Sequence, residues 1–191
     1  PLDKGGLNQG DYVVMDPNEL SAGFAGKTWS AGSSLTVENT LSYRGVTGEA
    51  NIPQTRIYNG TGSSFSSTAG ADNTLTLTLT PEDGFTFVPS KVSFKAARYG
   101  TDGGTISAYV EAGGNTAELV TNAGVNRGAK GLTIKSFSEE VSGITATADN
   151  PLKLNFAFLG LGNTKAMGLS NVVVEGTLVG AAAQVTKYAL D

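Results

Sequence analysis

Long stretches of this chain alternate between apolar and polar residues. Thr74-Leu-Thr-Leu-Thr-Leu-Thr-Pro is the strictest: Leu75, Leu77 and Leu79 share one side and the threonines the other. Successive side chains of a strand point to opposite faces, so such a run has one face to bury and one to wet. Pro81 closes it, because proline lacks the ladder donor. Leu152, Leu154, Phe156 and Phe158 alternate with Lys153, Asn155 and Ala157. Val172, Val174 and Leu178 repeat the pattern further on, and the polar loop 161–167 between the two runs reads as a hairpin tip. In 91–98, Val92, Phe94 and Ala96 share a face, and Arg98 continues their parity at the end of the run.

Turn signals separate these runs. Asp83-Gly84, Asp102-Gly103-Gly104, Ala112-Gly-Gly-Asn and Asp149-Asn150-Pro151 all favour chain reversal. Asp11–Asp16 predicts a first strand, 17–29 an irregular stretch with one helical turn at its start, and 35–38 and 41–44 two short extended pieces. Residues 85–87 and 91–100 predict two successive strands, 105–111 and 116–120 a pair across a turn, and 132–138 another strand. No segment keeps a helical period. The total is about ten strands, at the turn spacing of an antiparallel β-sandwich, most simply a jelly roll. The expected organisation is a flexible segment over 1–10, a single sandwich domain over 11–179, and a linker or the start of a further module over 180–191.

Composition narrows the chemistry. The chain has 191 residues, 26 of them glycine, with 16% charged residues and a net charge of −4. A phosphate-backbone binder carries a basic stripe, and no basic run exists here, so nucleic acid is not an expected partner. There is no cysteine and no histidine. Disulfides, thiolate zinc sites, cysteine nucleophiles and histidine-dependent triads are therefore excluded. No apolar stretch is long enough to span a bilayer as a helix. Low charge and many Gly, Ser and Thr fit a secreted, cell-surface or periplasmic β protein.

Several residues are candidates for ligand contact. Arg98, Tyr99 and Asp102 cluster at the end of one strand. The guanidinium either pairs with a carboxylate or carbonyls at the sandwich rim, or meets sugar hydroxyls or carboxylates beside a stacking Tyr99. Trp29, the single tryptophan, with Tyr58 and Arg56, could supply an aromatic and cationic platform; a lone Trp serves equally as a plug at one end of a sandwich. Asn163 and Lys165 stand in the 161–167 loop, where a polar tip is also the default. The Asp and Asn turns at 72–73, 83, 102 and 149–150 could hold a structural calcium, although none has the spacing of an EF-hand loop and turn chemistry explains them. Glu139-Glu140, Glu111, Glu118 and Glu175 could in principle furnish a glycosidase pair, but adjacent Glu139 and Glu140 would point to opposite faces of a strand. No other cofactor is indicated.

Two runs carry a resemblance. Leu77-Thr-Leu-Thr-Pro-Glu-Asp-Gly-Phe-Thr-Phe-Val-Pro-Ser-Lys-Val-Ser-Phe-Lys-Ala-Ala-Arg-Tyr-Gly-Thr-Asp-Gly-Gly and Leu159-Gly-Leu-Gly-Asn-Thr-Lys-Ala-Met-Gly-Leu-Ser-Asn-Val-Val-Val-Glu-Gly resemble a non-catalytic β-sandwich module of secreted and surface proteins of Bacteroidetes-type bacteria. The resemblance covers about residues 30–179. It implies a carbohydrate-binding-like accessory domain, covalently linked to a polysaccharide-degrading enzyme and itself without catalytic residues. A polysaccharide or oligosaccharide is the expected partner. The alternatives are a structural spacer or docking domain that binds no glycan, and a hydrolase or lyase working through carboxylates, Lys or Arg.

Overall fold

The computed structural model describes residues 11–14, 22–42, 53–59, 63–98, 104–125, 135–163 and 165–180. Within them the chain forms the strands β1 (Asp11–Val14), β2 (Phe24–Ala31), β3 (Leu35–Ser42), β4 (Pro53–Asn59), β5 (Thr74–Pro81), β6 (Phe85–Arg98), β7 (Thr105–Ala112), β8 (Asn115–Gly124), β9 (Lys135–Glu140), β10 (Leu152–Leu159) and β11 (Ala166–Gly180). One 3-10 turn, Ala71–Asn73, leads into β5.

Two antiparallel sheets result. One runs β3-β4-β11-β6-β9, with β1 added along β11, and the other runs β2-β5-β10-β7-β8. From β4 onward the path is that of a jelly roll. Of the strands β4 to β11, the first pairs with the last, the second with the seventh, and the third lies between the eighth and the sixth. Strands β2 and β3 extend the sheets beside β5 and β4. The predicted all-β sandwich is therefore the fold.

The alternation read from the sequence supplies the core. Leu75, Leu77 and Leu79 of β5 and Leu154, Phe156 and Phe158 of β10 are buried against Phe94, Met167 and Val174 of the opposite sheet. Phe94 joins the layers: its ring stacks on Phe137 at 4.6 Å and meets Phe156 edge-on at 5.0 Å.

Several elements depart from the sequence expectation. Phe24–Ala31 is a strand, not an irregular stretch: it is an edge strand, and its exposure hid the alternation. The piece at 35–38 and the described part of the piece at 41–44, residues 41 and 42, belong to one strand, β3, broken in register between Glu38 and Leu41. The strand expected over 85–87 and the described part of the one expected over 91–100, residues 91–98, are one, β6, which runs through Pro89. The register with β11 shifts between Glu175 and Gly176, opposite Pro89, and a bulge is where a sheet tolerates a residue without a donor. Finally, β10 and β11 are not a hairpin. They lie in different sheets, so the 160–165 segment crosses from one layer to the other. By contrast, β7 and β8 do form a hairpin, turning at Gly113 and Gly114 with φ of 56° and 82°, the positive values such a turn requires.

Candidate ligand cleft

The alternation that fills the core also builds the outer face of the β2-β5-β10-β7-β8 sheet. Register sets Ser30 beside Thr76, Thr76 beside Asn155, Asn155 beside Tyr109 and Tyr109 beside Glu118. Each strand thus contributes one polar residue to a row across the sheet. The adjacent row is Thr28, Thr78, Lys153, Glu111 and Thr116.

A cleft of about 340 Å³ opens over the first row. Thr74, Thr76 and Asn155 form its floor, Tyr109 and Glu111 one side, and Ser30–Gly32 with Ala69–Ala71 the other. That second side is fixed by close packing. A Cβ on Gly32 would stand 2.3 Å from the carbonyl oxygens of Ala71 and Asp72, so only glycine lets the β2–β3 turn rest on the 3-10 turn. Backbone bonds tie them: Gly32 N donates to Thr74 O at 2.8 Å and Ser34 N to Asp72 O at 2.9 Å. Buried Asn73 anchors the segment to the sheet, donating through Nδ2 to Thr68 O and Phe158 O and accepting from Gly70 N at 2.8 Å.

Asn155 is the centre of the floor. It is 4% exposed although it stands on the outer face. Its Oδ1 accepts from Thr76 Oγ1 at 2.6 Å, while its Nδ2 is screened from water and has no hydrogen-bond partner. Such a donor costs about 1–3 kcal/mol, and native proteins leave few of them. Beside it, the Tyr109 hydroxyl titrates above the ordinary phenol value of 10.0, because burial and then the Glu111 carboxylate disfavour the phenolate. It therefore stays a neutral donor and acceptor at physiological pH. Lys153 Nζ lies 3.9 Å from Glu111 Oε1, and both side chains are well exposed, a pairing worth well under ~1 kcal/mol.

Among the described residues, none of the ligand-contact candidates read from the sequence lines this cleft; Glu111, named there only as a possible glycosidase carboxylate, does. Trp29 pairs in register with Leu77, an inner-face residue, and its ring stacks on buried Phe156 at 6.4 Å. It covers the open edge of the core and is 38% exposed. Arg56 and Tyr58 do come together, on the other sheet: the guanidinium carbon lies 4.5 Å over the Tyr58 ring. Half-buried Arg98 ends β6 of that sheet, opposite Met167. Asn163 and Lys165 flank the crossing between layers, where Lys165 N donates to Gly162 O at 3.2 Å. Tyr99 and Asp102 lie outside the described residues, as do 1–10 and 181–191. Glu139 and Glu140 stand on opposite sides of edge strand β9, paired with Val92 and Lys91. Among the described residues no three Asp or Glu gather at one point, and no helix is long and apolar enough to cross a membrane.

The cleft residues left one trace in the sequence. Asn155, Lys153 and the β5 threonines were legible as a wet face. Their alignment with Tyr109 and Ser30 was not, because register between strands distant in sequence is not written in either strand.

No protein-family model and no curated protein sequence matches the chain. Solved structures do. A Clostridium thermocellum endo-1,4-β-D-xylanase, comprising a family 22 carbohydrate-binding module and a catalytic module in complex with xylohexaose, superposes with a TM-score of 0.50 at 14% identity, over 76% of this chain and 25% of that one. This chain thus spans about a quarter of that protein's length. The C-terminal family 22 carbohydrate-binding module of the same enzyme gives 0.45 at 12% identity, covering 85% and 98%. A Bacteroides thetaiotaomicron protein described as sugar-binding gives 0.40 at 16%, covering 86% and 91%. At these identities the likeness is one of fold.

Proposed function

We propose that the chain is a carbohydrate-binding module whose cleft takes a segment of a polysaccharide or oligosaccharide. One observation carries this reading: a row of neutral hydroxyl and amide groups, one from each of four neighbouring strands, lines a cleft whose central donor, Asn155 Nδ2, lacks a partner. Sugar hydroxyls both donate and accept, so they match such a row group for group. A ligand oxygen reaching Asn155 as the neighbouring Tyr109 ring turns aside would pair the buried amide. The volume is at the lower end of ligand sites, roughly 300–1,000 Å³, which suits a short segment of a chain. The xylohexaose in complex with the xylanase modules that share the fold supports the same assignment.

The module is non-catalytic in this reading. Glu111 is the one carboxylate side chain among the residues lining the cleft, whereas glycoside hydrolysis ordinarily uses a pair. Its setting is a secreted or cell-surface polysaccharide-degrading protein, in which it is linked to a catalytic domain and holds it on substrate. The Arg56–Tyr58 pair supports a second reading, with the glycan on the opposite sheet, because a ring already covered by a guanidinium is a preformed platform.

Affinity electrophoresis against plant and host polysaccharides separates the two. Asn155→Leu and Tyr109→Ala should each weaken retardation about tenfold or more, with Arg56→Ala within twofold of the parent. The reverse pattern would place the glycan on the other sheet, and no retardation by any glycan would leave a structural spacer. A chelator arm checks the structural calcium suggested by the Asp-containing turns: loss of retardation on chelation would add the ion.

A further inference from the structure

The charges around the cleft are distributed unevenly. Glu111 stands in one side. In the other, Asp72 lies beside Gly70: its Oδ1 is 2.8 Å from where a Cβ on that lining glycine would be, and its Oδ2 accepts from Ser34 Oγ at 3.3 Å. Exposed Glu118 continues the row beyond Tyr109. Against these three carboxylates, the two cross-sheet rows hold one ammonium, Lys153, which already faces Glu111 at 3.9 Å. Arg56 and Arg98 belong to the other sheet. The polar groups of the floor are hydroxyls and an amide.

We propose that the cleft selects an uncharged sugar segment and excludes the uronate counterpart of the same chain. This rests on the sugar-binding assignment above. A sugar carboxylate is an acceptor only, and protein sites receive it with a guanidinium fork or an unengaged ammonium. Here it would enter beside Glu111, with Asp72 behind the lining Gly70, and meet neither a guanidinium nor a free ammonium. A like charge about 6 Å away at an intermediate effective dielectric costs on the order of tenfold in affinity. Because the cleft is open to solvent, salt weakens that repulsion. The same arrangement disfavours the carboxylate contact that the arginines suggested from sequence.

The test is calorimetric titration of the whole chain with neutral hexasaccharides of glucose, mannose and galactose, and with the matched glucuronate, mannuronate and galacturonate hexasaccharides, at low and physiological salt. At least one neutral hexasaccharide should bind, with its uronate match about tenfold weaker or worse. Salt and Glu111→Gln should each narrow that gap, while the variant's melting temperature stays that of the parent. A uronate bound as tightly as its neutral match, or a gap that neither salt nor Glu111→Gln changes, overturns the charge selection and leaves sugar binding standing. Binding of no hexasaccharide of either kind overturns the sugar-binding assignment and this inference with it.

Discussion

The two outer faces of the sandwich arise from the same period-two alternation and yet offer a ligand different things. On the β2-β5-β10-β7-β8 sheet, hydroxyl and amide groups line up across the strands, and the 69–71 segment rises beside them as a wall. The other outer face carries Arg56 over Tyr58, Lys91 and Lys95, Glu175 and Glu140, and the 41% exposed Val88. It is the richer face in charge and exposed apolar surface. It is also the face that sequence reasoning favoured, since Arg and Tyr are conspicuous in a chain with few charges. Conspicuous residues do not by themselves make a cleft. Relief does, and here it comes from Gly32 and Asn73, neither of which has chemistry to offer a ligand.

The comparison can be broken outright by removing what both faces share. Phe94 contacts Phe137 within its own sheet and Phe156 across the core, so Phe94→Ala should cost about 3–5 kcal/mol. Chemical denaturation should show this, with glycan retention lost only to the extent that the fold is lost. Next in size is Gly32→Ala. Its Cβ collides with two backbone carbonyls, which cannot swing away as a side chain would, and such overpacking costs about 1–3 kcal/mol. Because the collision displaces the 3-10 turn, retention should fall by more than the melting temperature accounts for. A wall that is irrelevant to binding would instead leave retention intact in the fraction still folded.

Trp29→Ala sharpens the contrast between edge and cleft. Loss of the Trp29–Phe156 stacking should cost about 1 kcal/mol of stability and leave retention within twofold. A strong loss of retention in a fully folded variant would mean that the ligand reaches the sheet edge. Since Trp29 is the single tryptophan, its fluorescence should follow unfolding closely and glycan addition weakly.

The smallest expected effect is on pH. The raised Tyr109 pKa means that the native state prefers the neutral phenol. Its contribution is fully present below about pH 10 and is lost as pH rises through the folded value. Stability and retention should therefore not respond to this group between about pH 6 and 9, and an alkaline decline should be shallower in Tyr109→Phe. A retention midpoint near pH 7 would point to a different titrating group.

Much of the fold was legible along the chain because strand alternation is local. Leu75, Leu77 and Leu79, and the Leu152–Phe158 run, announce which side they bury with no reference to a partner. The Gly113-Gly114 turn was legible for the same reason: it joins neighbouring strands, and its backbone demands positive φ. Strand β2 was missed because an edge strand buries little and so alternates little. Strand β6 was cut in two because Pro89 reads as a stop, and only the register shift opposite it on β11 shows how the ladder continues.

What the sequence determined by itself is the all-β class, the composition of the core, and the chemistry closed to a chain with no histidine and no cysteine. Tertiary structure alone decided that β10 and β11 part into different sheets, that Trp29 faces the core, and that Asn155 lies between Thr76 and Tyr109. The reason is physical. Which face a residue takes follows from its immediate neighbours, but which residues share a row follows from pairing between strands far apart along the chain, as Thr76 and Asn155 are at a separation of 79 positions. That pairing is set by how whole faces bury one another and by the turns that hold them in register.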